Sequence, residues 1–333
     1  MGILVDVTDL MAEVKPEVLD QATISPDGRY LVAAEADRTT IRVLTTGKTL
    51  GPMPVADSFD FSRGGRLAVL SKGQIKVLDP ATLKVLAEFT TGKGSSQVFF
   101  SPDGARLALL RRLGRGHAVE LWDWRSHRRL WQTPTGTPLA VTFSSDGRRL
   151  AVGGPDQRIL DTAGGKMIGE PFGGDAAASG ERVWFTHSSK ILVVQDSRGR
   201  VTRWDTATRR GIGTSTLHLF AGSASYSPTE DLIAVAHDEG HVLLFDPISG
   251  SSLGRSADTG GGLAPSTGEL SSVAFTPDGT QVLTVDGHGT VRRVPAAAQA
   301  VARAVCARAG RSLTPQEWAA HIPALPFREV CPR

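Results

Sequence analysis

Val98-Phe99-Phe100-Ser101-Pro102-Asp103-Gly104 is the stretch from which the rest of the chain can be read. The alternation in its apolar triplet is that of a strand, with two side chains on one sheet face. Pro then presets φ for a tight turn and Gly tolerates positive φ, so a returning strand is expected at Arg106 to Leu110. The same order of triplet, small residue and turn recurs at Ala22-Thr23-Ile24-Ser25-Pro26-Asp27-Gly28, at Phe59-Asp60-Phe61-Ser62 and at Val141-Thr142-Phe143-Ser144. Further copies stand at Val183-Trp184-Phe185-Thr186, Ala224-Ser225-Tyr226-Ser227 and Val273-Ala274-Phe275-Thr276-Pro277-Asp278-Gly279. Returning strands are expected at Arg149 to Gly153, Lys190 to Val194, Leu232 to Ala236 and Gln281 to Val285.

The third apolar positions of the seven copies fall at 24, 61, 100, 143, 185, 226 and 275. Their mean spacing of about 42 residues is the length of one four-stranded blade. A third strand follows each hairpin and commonly ends in Asp, as in Val77-Leu78-Asp79, Leu121-Trp122-Asp123, Ile159-Leu160-Asp161, Arg203-Trp204-Asp205 and Leu244-Phe245-Asp246. On these residues the chain resembles the WD40 repeat family over roughly residues 3 to 295. The expected fold is therefore all-β, a seven-bladed β-propeller (WD40-like) with a short α-helical C-terminal extension.

Two departures qualify the resemblance. Only two copies keep Trp-Asp, and no Gly-His precedes any first strand. The family also places an Asp six residues before the Trp, where this chain has Arg38, Lys72, Gly116, Gly154, Arg198, Glu239 and His288. Without the polar tetrad which that Asp anchors, blade stability is expected to rest mainly on apolar packing between sheets. The seventh copy runs out of strands at Val294, so an N-terminal strand, Ile3 to Val7 or Leu10 to Lys15, is expected to complete the last blade and remove an open edge. The propeller is thus assigned to residues 1–295 and a helical tail to 296–333.

Composition agrees with many short elements. The 333 residues include 37 Gly and 19 Pro, and only 21% are charged. No apolar run is long enough to span a bilayer, so no membrane association is expected. The first fourteen residues carry three acids and no base, unlike an export signal. Both cysteines, Cys306 and Cys331, lie in the last 28 residues. A cytoplasmic location is the expectation from these features. Of the 37 basic residues 29 are Arg, a bias that resembles a GC-rich bacterial genome.

After Pro295 an Ala-rich, Gly-free stretch ends at Gly310, as a helix does, and Thr314-Pro315-Gln316-Glu317 reads as a capping box opening a second helix. This tail resembles those closing bacterial WD40 proteins linked to signalling ATPases or Ser/Thr kinases. Trp318, Leu325 and Phe327 are expected to pack on the ring. Cys306 and Cys331 are read either as two buried thiols or as a disulfide pair; with His321 they do not make a full metal ligand set.

No phosphate loop, kinase signature or His-Glu-x2-His site occurs. Asp27, Asp103, Asp146 and Asp278 recur around the ring as turn residues, which explains them without acid-base chemistry. His237, Asp238, His241, Asp286 and His288 share one side of neighbouring blades; the alternatives there are solvated turns or a metal site of a propeller enzyme. No metal, cofactor or catalytic residue is assigned. The turns between second and third strands gather Arg38, Lys72, Arg111, Arg112, Arg115, Arg158, Arg198, Arg200, His237, His241 and His288. This basic rim is either ordinary solvated surface or a docking face for an acidic peptide or protein segment, where Arg binds carboxylates in bidentate fashion. Nucleic acid is disfavoured because no stacking aromatics interleave with the charges. The expected role is a non-catalytic scaffold for protein interaction or ligand sensing, alternatively a sensor domain of a signalling ATPase or kinase.

Overall fold

The structure, a computed structural model, describes residues 21–34, 38–138, 140–155, 157–172, 180–196, 198–216, 224–236, 242–255, 270–286, 291–296, 306, 310–312, 314–321, 329 and 331. It is a seven-bladed β-propeller built from antiparallel sheets whose strands lie in chain order. The first three blades are β1 Gln21–Ile24, β2 Tyr30–Ala34, β3 Thr39–Val43 and β4 Thr49–Met53; β5 Ser58–Phe61, β6 Leu67–Ser71, β7 Gln74–Leu78 and β8 Val85–Thr90; and β9 Ser95–Phe100, β10 Arg106–Leu113, β11 Gly116–Asp123 and β12 Arg128–Thr135. Blade 4 holds β13 Ala140–Phe143, β14 Arg149–Gly153 and β15 Arg158–Asp161, extended by bridges from Gln157 to Phe172 and Leu160 to Met167. Blade 5 holds β16 Gly180–Phe185, β17 Ile191–Asp196, β18 Arg200–Asp205 and β19 Gly211–Thr216. Blade 6 holds β20 Ala224–Tyr226, β21 Ile233–Ala236, β22 Val242–Asp246 and β23 Ser251–Arg255, and blade 7 β24 Leu270–Phe275, β25 Gln281–Asp286 and β26 Val291–Pro295. The strand expected to complete blade 7 falls in residues 1–20, outside the described residues.

Among the described residues the buried apolar side chains form seven clusters, one at each junction between blades. In β10, Leu107 and Leu109 join Leu70, Val77 and Phe89 of blade 2. The intervening Ala108 and Leu110 join Val141, Leu150 and Leu160 of blade 4. This is the period of two of a strand buried on both faces, and it explains why the second strands read as unbroken apolar runs. Ile24 and Leu31 of blade 1 pack with Leu283 and Val285 of blade 7, which closes the ring.

The turns behave as their sequence requires. Ser25, Ser101, Ser144 and Thr276 donate their hydroxyls to Asp27, Asp103, Asp146 and Asp278 at 2.5–2.6 Å. The Gly of each such turn has φ between 66° and 69°. In blade 5 Ser189 takes that place with φ 56°. In blades 2 to 6 the Asp closing the third strand caps the next turn, as where Asp123 accepts the Arg125 N–H at 2.9 Å and Asp205 that of Ala207 at 3.0 Å.

In the tail Gly310, with φ 68°, donates its N–H to the Cys306 carbonyl at 2.9 Å and ends a helical turn. Helix α1, Pro315–His321, starts at the expected capping box. Glu317 accepts the Thr314 N–H at 2.8 Å, and the Thr314 hydroxyl accepts the Glu317 N–H at 3.2 Å. Trp318 is buried, whereas Leu325 and Phe327 lie outside the described residues. Cys306 and Cys331 are joined in a disulfide, with Cα atoms 5.3 Å apart, so they are not two free thiols.

Candidate functional site

The hairpins between second and third strands meet the loops between blades on one face of the ring. Lys72 donates its N–H to Asp57 Oδ2 at 2.6 Å, and the Arg112 N–H reaches the Gly94 carbonyl at 2.8 Å. The β10–β11 hairpin joins two eight-residue strands and carries Arg112 and Arg115 at its exposed end.

The expected rim residues divide by what their side chains touch. Lys72, Arg112, Arg115 and Arg198 are exposed. Arg38 is exposed and Arg158 half-buried, and both are engaged by neighbours. Arg111 is committed inward: it pairs with the fully buried Glu120 at 3.0 Å and donates Nε to the Lys93 carbonyl at 3.2 Å. Arg200 pairs with Asp196 at 2.9 Å. His237, His241 and His288 lie outside the described residues. Lys93, on the loop between blades 2 and 3, adds an exposed cation to this face. Those loops share the rim with the hairpins, so topology was the signal that would have found it.

Two of these pairings modify the expectation drawn from the missing tetrad. Asp196, two residues before the family position, pins its own hairpin by accepting the N–H groups of Arg198 and Arg200, each at 2.9 Å. Glu120, itself fully buried, binds Arg111, the half-exposed Arg129 at 3.1 Å and the Trp122 indole N–H at 2.9 Å, all within blade 3. Between the sheets, apolar clusters occupy all seven junctions, with polar contacts such as Trp131 Nε1 to the Thr162 carbonyl at 3.0 Å beside them.

At the opposite mouth, among the turns that lead from first to second strands, a cavity of about 270 Å³ lies on the ring axis. Five consecutive blades line it, contributing Phe61, Phe99, Phe143, Phe185 and Tyr226 beside Asp60. Asp60 Oδ2 accepts the Phe100 N–H at 2.6 Å, a group left unpaired at the inner edge of blade 3. Burial drives the Asp60 carboxyl up to about 7, against the opposing pull of the Phe100 and Phe61 N–H groups. The Tyr226 hydroxyl is buried without a partner among the described residues, and burial raises its pKa well above the usual phenol value. Asp60 and Tyr226 escaped the sequence reading because each occupies a position that otherwise belongs to the strand pattern.

Comparison with solved structures finds the same architecture. A chain titled Kuenenia stuttgartiensis hydrazine synthase is similar with a TM-score of 0.65 at 16% identity, over 86% of this chain and 98% of that one. At that identity the likeness concerns the fold alone. The sequence matches no protein-family model and no curated protein.

The repeated turn aspartates have their carboxylates occupied by local donors. At Asp278 the Thr276 hydroxyl and then the Thr280 N–H hold the carboxyl below its ordinary range. At Asp103 burial pushes upward, but the Ser101 hydroxyl and the Ala105 N–H outweigh it. Among the described residues no group of three or more His, Cys, Asp or Glu side chains is arranged to hold a metal. No helix of the described residues is long and apolar enough to cross a membrane.

Proposed function

We propose that this propeller is a non-catalytic binding module of the WD40 type, whose basic face docks an acidic segment of a partner protein. The observation that carries this is the set of exposed cations around one mouth, Lys72, Lys93, Arg112, Arg115 and Arg198, facing the single exposed Asp57 among the described residues of those hairpins and loops. Clustered cations of this kind steer an acidic partner and fix its orientation. Among the described residues no aromatic side chain stands between them as a base-stacking platform, which favours a protein partner over nucleic acid.

The WD40 reading is supported by the seven-fold period and by the Asp-capped third strands, and the tail resemblance favours a bacterial signalling context. For location, the Cys306–Cys331 disulfide favours an oxidising compartment over the cytoplasm, where thiols are kept reduced.

The test is charge reversal at Arg112, Arg115 and Arg198 together, leaving the internally paired Arg111 and Arg200 untouched. Exposed ion pairs contribute about 0.2–1 kcal/mol each, so affinity for a Glu-rich peptide should fall roughly threefold to hundredfold. Wild-type binding should also weaken as salt rises. Fluorescence anisotropy with the labelled peptide reads both, and capture from a lysate of the source organism identifies the partner. Equal binding by the folded triple variant overturns the proposal.

A further inference from the structure

The cavity at the other mouth asks for a different ligand. The Phe100 N–H needs only an acceptor, and elsewhere in the ring uncharged side chains fill the same role. Ser58 Oγ accepts the Val98 N–H at 3.2 Å and Ser225 Oγ accepts the Phe275 N–H at 3.1 Å. At Asp60 a carboxylate does this work, and no ion pair balances it among the described residues. Placing an unbalanced charge in a half-buried position is costly unless something of opposite sign joins it.

The surroundings define what can join it. Phe61, Phe99, Phe143, Phe185 and Tyr226, from five blades, make the lining largely apolar, and opposite charges attract more strongly where less water surrounds them. A volume of about 270 Å³ admits one small molecule or a single extended side chain and no folded segment. The other charged or titratable residues of the lining, Arg63 and His187, are exposed on turns at the mouth. There solvent screens their charges.

We propose that this cavity binds an alkylammonium group, with the Asp60 carboxylate as its counter-ion and the ring of Phe and Tyr side chains as its walls. The ammonium is carried either by a free amine or by a lysine side chain. The site faces away from the basic rim, so its failure and that of the docking reading are separately visible.

Calorimetry with n-butylammonium, with Nα-acetyl-lysine methylamide and with neutral n-butanol tests it. Both ammonium probes should bind and butanol should not; the tighter of the two assigns the source as free amine or lysine. Asp60→Asn, whose amide oxygen still accepts the Phe100 N–H, should keep the fold and lose binding at least tenfold. Asp60→Ser, copying Ser58 and Ser225, should do the same. Because the carboxyl titrates at about 7, lowering the pH from about 8.5 to about 5.5 should cost roughly thirtyfold in affinity through loss of the ionised form. Butanol binding as tightly as the amines, or unchanged amine affinity in folded Asp60→Asn, overturns the proposal. So does absence of binding by either ammonium at millimolar concentration, or failure of both Asp60 variants to fold.

Discussion

Asp60 and Glu317 show two opposite fates of a carboxyl group. The Asp60 pKa, about 7 in the folded state, lies above its ordinary 3.8. Between those values the folded protein holds a proton that the unfolded chain has shed, so this group's contribution is fully present in acid and is withdrawn as pH rises through 7. Asp60→Asn should flatten that part of the curve and raise the melting temperature most above pH 7; a thermal scan across pH checks it. Glu317 runs the other way: Arg311, binding it through two 2.7 Å contacts, holds its carboxyl at about 2, so its contribution is present above 4.5 and fades on acidification. Gly28 presents a purely steric case. Its φ is 68°, and an added Cβ would stand 2.9 Å from Leu283 Cδ1 in the ring-closing cluster. Gly28→Ala should destabilise by about 1–3 kcal/mol in urea unfolding, with no effect on binding at either mouth. The need for Gly there was legible from Pro-Asp-Gly; the reason a carboxylate stands at position 60 was not, because it depends on an N–H supplied by the next blade.

At the level of strands and helices, period and turn chemistry located the hairpins to within three residues. The third strands were equally plain, since their closing Asp has a local backbone job that its neighbours in sequence reveal. What stayed hidden was the polar interior of blade 3. Glu120 opposes Leu109 on one side and Gln132 on the other, and its partners Arg111 and Arg129 lie on the diagonals of both pairings. Only the register brings them together. Glu120→Ala leaves the Trp122 indole N–H without its acceptor and removes one partner from Arg111, while Arg129 keeps Gln132 and solvent, and should cost about 1–3 kcal/mol by denaturant titration. Replacing Glu120 and both arginines together by apolar residues should cost less than the single change. The tail offers the converse case, since its capping box was explicit in sequence. Thr314→Ala should lower stability of α1 by about 1 kcal/mol, measured as faster amide exchange at Glu317. The basic rim rests on an electrostatic pattern that sequence and packing address differently. Sequence showed where cations cluster, while only packing showed that Arg111 and Arg200 spend their charge on Glu120 and Asp196.

Seven interfaces of similar construction, none of them an end, make the ring a closed system. Each blade offers one face to its predecessor and the other to its successor, and the turns follow the same direction. The Gly104 turn sits against Ser62 of blade 2 and the Gly147 turn against Pro102 of blade 3. The contact is therefore head-to-tail, the heterologous kind that closes into a ring by rotation. Opening the chain in the exposed loop at Gly136 would leave fragments 1–136 and 137–333, each ending in two surfaces complementary to those of the other. Co-expressed, they should recombine into a particle of the parent size by size-exclusion chromatography; if they stay apart, chain continuity rather than face matching holds the ring. The same directionality gives this single polypeptide the self-completing character of a cyclic oligomer, and with it a latent capacity for templated reassembly between fragments.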